Sequence, residues 1–258
     1  MVILDQFGRP YPAAQKAPER RPLAAAPLMD SWREYVAAGL TPERLAAILR
    51  EADQGDVRRQ AELFEQLLEK DAHLLGETGK RENAILNVEF TVSPATDSAR
   101  DQDVADFVSR YLADQTDWPD VQVAMQEAVG RGFAAMEIMW DMSSGQAVPS
   151  SFEPLESKRF LFRDAQGVLS RTPLLITDEN PMGGAIPAWK VLMHRYGGKT
   201  GNATRSGVYR VCAWMFLFKN YAIKDWAVFC EVYGMPLRLG KYRSEEHTSE
   251  LQSPTSIS

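Results

Sequence analysis

The stretch "VYRVCAWMFLFKNYAIKDWAVFCEVYG", residues 208–234, constrains the chain more than any other. Trp214, Phe218 and Tyr221, then Trp226, Phe229 and Tyr233, recur at helical spacing, while Lys219, Lys224 and Asp225 interrupt the apolar run. Gly234 and Pro236 follow, a glycine suited to ending a helix and a proline unable to continue one. The spacing predicts one long helix over 208–233. Between 208 and 218 apolar side chains occupy most of the circumference, more than a single core-facing stripe uses. Such a helix needs a core on one side and a second protein surface, another subunit, on the other. Trp214, Phe216, Phe218, Tyr221, Trp226 and Phe229 are therefore the candidate core and subunit-interface positions, with Trp214 and Phe216 pointing in different directions. Arg210 breaks the apolar run, which falls well short of the roughly 20 residues needed to cross a bilayer, so no membrane partner is expected.

The rest of the chain supplies an ordinary core. Of its 258 residues 45% are hydrophobic and 25% charged, which excludes disorder throughout. The net charge is −6. The last sixteen residues contribute −2 of it, Arg243 against Glu245, Glu246 and Glu250, and leave −4 for residues 1–242. A general polyanion-binding surface is not indicated. Cys212 and Cys230 are the only cysteines, too few for a disulfide framework or a paired-CxxC zinc site. A cytoplasmic setting is expected. Residues 1–28, rich in Pro, Ala and Arg, lack the apolar segment of a signal peptide and read as a disordered arm.

Thr41-Pro42-Glu43 is a helix start, a hydroxyl to cap and a proline at the first position, followed by Leu45, Ile48, Leu49 and Ala52 on one face. A second helix after Gly55 carries Val57, Ala61, Phe64 and Leu68, and a third runs through "AHLLGETGKRENAIL". In "NVEFTV" Val88, Phe90 and Val92 alternate with polar residues, which predicts a half-buried strand. Helical spacing returns through Val104, Phe107, Val108, Tyr111 and Leu112, and again after Asp117-Trp118-Pro119 until Gly130 and Gly132. Short apolar runs punctuated by Ser-Ser-Gly, Pro and Ala-Gln-Gly predict antiparallel hairpins over 133–170. "PAWKVLMHRYG" is a further strand, and "MPLRLGKY" after the long helix starts another. The class is α+β.

No catalytic constellation emerges. "GGKT" at 197–200 suggests a phosphate loop, but Met193 stands where the motif needs its first glycine and no helix follows at once. His73 and His194 have no second ligand at metal-site spacing. Glu137 and Glu231 sit among apolar residues, where an acid can serve as a general acid but more simply forms a structural hydrogen bond or ion pair. The cysteines read as buried thiols. No catalytic residue, cofactor or metal is expected.

Several blocks resemble one family in its own order. They are "FEQLLEKDAHLLGETGKRENAILNVEFTV", "VGRGFAAMEIMW", "LESKRFLFRDAQGVL" and the nearly continuous run from "KVLMHRYGG" to "FKNYAIKDWAVFCEVYGMPLRLGKY". Across 29–242 the chain resembles the Mu-like bacteriophage portal proteins. The resemblance implies a portal-like fold with a helical and mixed wing, stem helices and a β-rich clip, incomplete at the C-terminus because the family's second half is absent. It implies a wing-like region at 29–116 and a stem and clip region at 117–242. It further implies a non-enzymatic virion subunit, in a ring of about a dozen copies at one capsid vertex. The implied partners are other copies of itself, the terminase large subunit, capsid and head-completion proteins, and double-stranded DNA passing non-specifically through the channel. The alternative is a phage or host adaptor, or an enzyme using Glu137 or the 197–200 loop, on a portal-derived fold.

Residues 243–258 stand apart. Back-translated, "RSEEHTSELQS" is one reading frame of the standard sequencing-library adapter and "PTSIS" fits its continuation, so this stretch is expected to be adapter-derived. It offers no apolar face to bury. A chain ending at Tyr242 is therefore expected to melt at the same temperature as the full 258 residues, and a lower melting temperature would count against the adapter reading.

Overall fold

The computed structural model describes residues 21–23, 36–143, 147–164, 166–197 and 203–234. Thr41 Oγ1 accepts the Arg44 N–H at 3.2 Å and opens helix α1 (Pro42–Asp53), whose buried face is Leu45, Ile48, Leu49 and Ala52 as the spacing predicts. Helix α2 (Arg58–Lys70) buries Ala61, Leu63, Phe64 and Leu67. Asp71 caps helix α3 (Ala72–Ala84) by accepting the His73 and Leu74 N–H groups, and a 3-10 turn, Ile85–Asn87, extends it. Ser98 caps helix α4 (Ala99–Asp114), and Pro119 lies in the first turn of helix α5 (Trp118–Arg131).

Helix α5 runs directly into strand β1 (Phe133–Asp141), buried from Phe133 to Glu137. It is the central strand of an antiparallel sheet, flanked by β2 (Val148–Pro154) and by a strand from much later in the chain. A second sheet pairs β3 (Phe160–Arg163) with β4 (Leu169–Leu175), and β4 with the two-residue β5 (Gly184–Ala185). Strand β6 (Val191–Arg195) returns to β1, with Phe133 opposite Arg195. Helix α6 (Tyr209–Tyr233) follows. The hairpins β1–β2 and β3–β4, strand β6 and the long helix all agree with the sequence reading.

Two apolar clusters hold these elements. One joins α1 and α2 to the first turns of α6 through Leu45, Ile48, Leu63, Phe64, Tyr209, Phe216 and Leu217. The other joins the two sheets. Phe133 meets Phe160 and Phe162 edge to face, at centroid distances of 5.6 and 4.8 Å, with Leu155 and Leu175 around them. Ala52 and Val57, from α1 and the turn after it, belong to this second cluster. Phe162 N–H donates to Gly55 O at 2.8 Å, fastening the α1–α2 turn to β3.

Three expectations are corrected. Residues 88–92 form no strand: Val88 and Phe90 are exposed and no ladder includes them, because alternation specifies a strand's two faces and not the neighbour that must supply its hydrogen bonds. Helix α4 forms where predicted, yet only Ala105 is buried and Val104 and Phe107 face solvent. Cys230 is exposed rather than buried. The strand expected at 235–242 and the stretch 243–258 lie outside the described residues, as does most of the arm; of it, only 21–23 are placed, with Leu23 against the inter-sheet cluster.

The passage from α5 to the rest is tight. Gly132 ends α5 at φ +99°, a left-handed conformation, and a methyl group on it would overlap the Ala203 carbonyl oxygen. Gly39 also has a positive φ, +57°, but open space around it. Gly39→Ala is expected to cost about 1–2 kcal/mol from conformation alone. Gly132→Ala is expected to cost clearly more by urea denaturation, and equal losses would contradict the packing described.

Candidate functional site

Helix α6 begins as a core helix. Tyr209, Ala213, Phe216 and Leu217 are buried, and the Tyr209 ring meets Phe64 edge to face at 5.6 Å. Gly130 permits this approach, since a side chain there would overlap the Tyr209 ring. Val208 N–H donates to Val129 O at 3.0 Å across the same crossing. Arg210, the charge that interrupts the apolar run, points inward. Its Nη1 lies 2.9 Å from Asp53 Oδ1 and donates to Gln60 Oε1 at 2.9 Å, and its Nη2 donates to Leu49 O at 3.4 Å. One guanidinium thus clips the start of α6 to α1 and α2.

The six aromatic candidates divide along the helix. Phe216 is 5% exposed and belongs to the helical core, and Trp214 packs half-buried against that core. Phe218, Tyr221, Trp226 and Phe229 are exposed, Trp226 at 69%. Lys219 begins a second structural unit, of which residues 219–234 are described. Within it Ile223, Val228, Val232 and Tyr233 are exposed as well, and Phe229 and Tyr233 stack in a tilted pair at 4.9 Å.

The acids single out a second feature. Glu137 is buried on β1 and its Oε1 lies 3.0 Å from Lys190 Nζ, a fully buried ammonium that also donates to Ile138 O at 3.2 Å. Leu23 N–H donates to the same Glu137 oxygen at 2.8 Å. For Glu137 the expected structural role is present, as an ion pair and a hydrogen bond, and Lys190 is the residue the sequence reading missed. Its signal was a charge at the mouth of a strand, in "PAWKVLMHR". Glu231 is exposed, so its apolar neighbours in sequence do not bury it. Residues 198–200 of the "GGKT" loop lie outside the described residues. Among the described residues no His, Cys, Asp and Glu group could hold a metal ion, and no helix is long and apolar enough to cross a membrane.

A cleft of about 470 Å³ lies beside the α5–α6 crossing, lined by Leu74, Thr78, Glu82, Val129, Tyr209 and Cys212. Burial, with Glu127 nearby, pushes the Glu82 carboxyl up. Burial also raises the Tyr209 phenol, which donates to Thr78 Oγ1 at 3.2 Å, and the Cys212 thiol. A thiol held protonated is a poor nucleophile.

A family description, the portal protein of Mu bacteriophage, matches residues 61–253, from α2 through α6 and beyond Tyr242. The chain belongs to the Mu portal protein family. It is 33% identical over 256 residues to the Mu-like prophage FluMu protein gp29 of Haemophilus influenzae, covering 97% of this chain and 48% of that protein. It is also 33% identical over 241 residues to the portal protein of Escherichia phage Mu, covering 93% of this chain and 46% of the relative. The chain therefore spans about half the length of the curated relatives it matches.

In this member of the Mu portal family the Glu137–Lys190 pair joins β1 to the turn that leads into β6, within the family match. Breaking a buried pair by removing one partner strands the other charge, at a cost of about 3–5 kcal/mol. Lys190→Met is expected to lose stability on that scale by chemical denaturation, and Glu137→Leu added to it to recover most of the loss. A Lys190→Met chain as stable as the parent would show that the carboxylate needs no ammonium.

Proposed function

We propose that this chain is part of a structural subunit of a phage portal ring at one vertex of the capsid. In that role it carries no chemistry. It helps to wall the channel through which double-stranded DNA enters and leaves the head, and the ring presents a docking surface for the packaging motor, the terminase large subunit, and for head-completion proteins. The assembled protein resides in the virion and is built in the host cytoplasm.

Membership in the Mu portal family carries this reading, and the α6 surface supports it. Phe218, Tyr221, Trp226 and Phe229 are exposed while the first turns of the same helix are anchored in a core. A ring with rotational symmetry repeats one heterologous contact until it closes, so each subunit must offer a surface that another covers. The groups most suited to acid–base or nucleophilic work are occupied structurally, Glu137 by Lys190 and Tyr209 by Thr78. The balance of −4 over residues 1–242 suits a wall along which DNA slides, since strong phosphate contacts would act as a brake.

The test compares aspartate substitutions in a protein of the family's full length. Phe216→Asp is expected to unfold the subunit, because it places a charge in the helical core. Trp226→Asp and Phe229→Asp are expected to leave the circular dichroism spectrum and melting temperature near the parent's while shifting the mass by light scattering from rings to small species. A full-length parent that stays monomeric, or variants at 226 and 229 that close rings normally, would overturn the assignment.

A further inference from the structure

Arg21, Pro22 and Leu23 meet the body of the protein at a partner 114 positions along the chain. Leu23 N–H donates to Glu137 Oε1 at 2.8 Å, the oxygen that also lies 3.0 Å from Lys190 Nζ, and the Leu23 side chain packs against the inter-sheet cluster. A backbone N–H given to a carboxylate is a charge-assisted hydrogen bond, among the stronger kinds. Glu137 is 2% exposed, so this donor stands in for water that the carboxylate has given up.

A cleft of about 690 Å³ runs beside the same three residues, walled by Leu175, Asp178, Glu179 and Pro187. Its chemistry suits each of them. Asp178 and Glu179 bring negative charge to the lining that Arg21 shares, and all three are exposed. Pro22 has no N–H to satisfy and restricts Arg21 to extended backbone, so little freedom is lost on docking. Leu23 supplies the apolar side chain and the N–H for Glu137. The space left beside the three residues has room for those that flank them in an extended segment.

We infer that this cleft is a peptide-docking site and that Arg21-Pro22-Leu23 of the same chain is its occupant. The site takes an extended segment with a basic residue, a proline and a leucine in that order. Only residues 24–35 separate the segment from Val36, so docking is intramolecular and a modest intrinsic affinity keeps the site filled. Undocking leaves Glu137 with the Lys190 ammonium and opens a leucine site at the edge of the inter-sheet cluster. The site is independent of the ring reading, which assigns residues 21–23 no contact.

Amide exchange followed by NMR in the full chain tests the docking. The Leu23 N–H is expected to exchange on the order of 100-fold more slowly than in a synthetic peptide of residues 17–27. In a Leu23→Asp chain the amide at 23 should exchange at the peptide's rate, while the Ile138 N–H, which donates to Lys190 O at 2.7 Å, stays protected. The 17–27 peptide in excess should then shift the amide signals of Gly184 and Ala185, which line the cleft, in the Leu23→Asp chain and not in the parent, whose site is filled. A peptide carrying Leu23→Asp should shift neither. Fast exchange at Leu23 in the parent would overturn the inference, as would a peptide that leaves the Leu23→Asp chain unchanged. Protection at Leu23 that appears only as concentration rises would give the site to a second copy's segment and overturn the assignment within one chain. Loss of protection at Ile138 in the Leu23→Asp chain would make Leu23 part of the core rather than a separable segment, and would also overturn it.

Discussion

The crossing of α5 and α6 is the contact on which the rest of the fold depends. It exists because Gly130 leaves room for the Tyr209 ring and Gly132 turns the chain through a left-handed conformation against the Ala203 carbonyl. Through Gly132, α5 delivers β1 into the centre of its sheet; through Tyr209, the same crossing delivers α6 onto Phe64 and the helical core. Among the described residues, links between the helical and sheet parts include this crossing, the α1–α2 turn held on β3 by Gly55, and Thr204, which donates to the Ala52 carbonyl and accepts from Gln60 through its own carbonyl. Displacing the crossing by one side chain moves both cores at once.

Inside the protein, buried charges fix position. Arg210 interrupts the most apolar segment of the chain and joins Asp53, Gln60 and the Leu49 carbonyl, selecting one rotation of α6 among the several that its greasy surface could accept. Lys190 does the same for β6 against β1, because a buried ammonium accepts few arrangements besides the one that meets Glu137. Arg159, 1% exposed, reaches Glu156 and the Ile176 carbonyl, fixing the entry to β3. Each cation sits where apolar packing alone would leave the register open.

Local signals in the sequence were read correctly where the physics is local. Thr41-Pro42 starts α1, Asp117-Trp118-Pro119 starts α5, and the aromatic spacing marks α6 nearly to the residue. The readings that failed concern partners. "NVEFTV" has the faces of a strand, but its ladder depends on an edge that no local pattern names. The apolar side of α4, with Val104 and Phe107, likewise has no cover among the described residues. Glu137 was legible as an acid in an apolar strand; Lys190, over fifty residues later, becomes its partner only through the β1–β6 register. Of the six aromatic candidates, the sequence could place all on one helix but could not tell that Phe216 faces the core and Trp226 faces solvent.

One helix therefore serves folding at its start and offers apolar surface further on, and amide hydrogen exchange in a protein of the family's full length tests that division most directly. In unassembled subunits the account predicts strong protection over the buried turns at 209–217 and weak protection over 219–233, with the latter becoming protected when rings form. Protection over 219–233 that is the same before and after assembly would contradict the account.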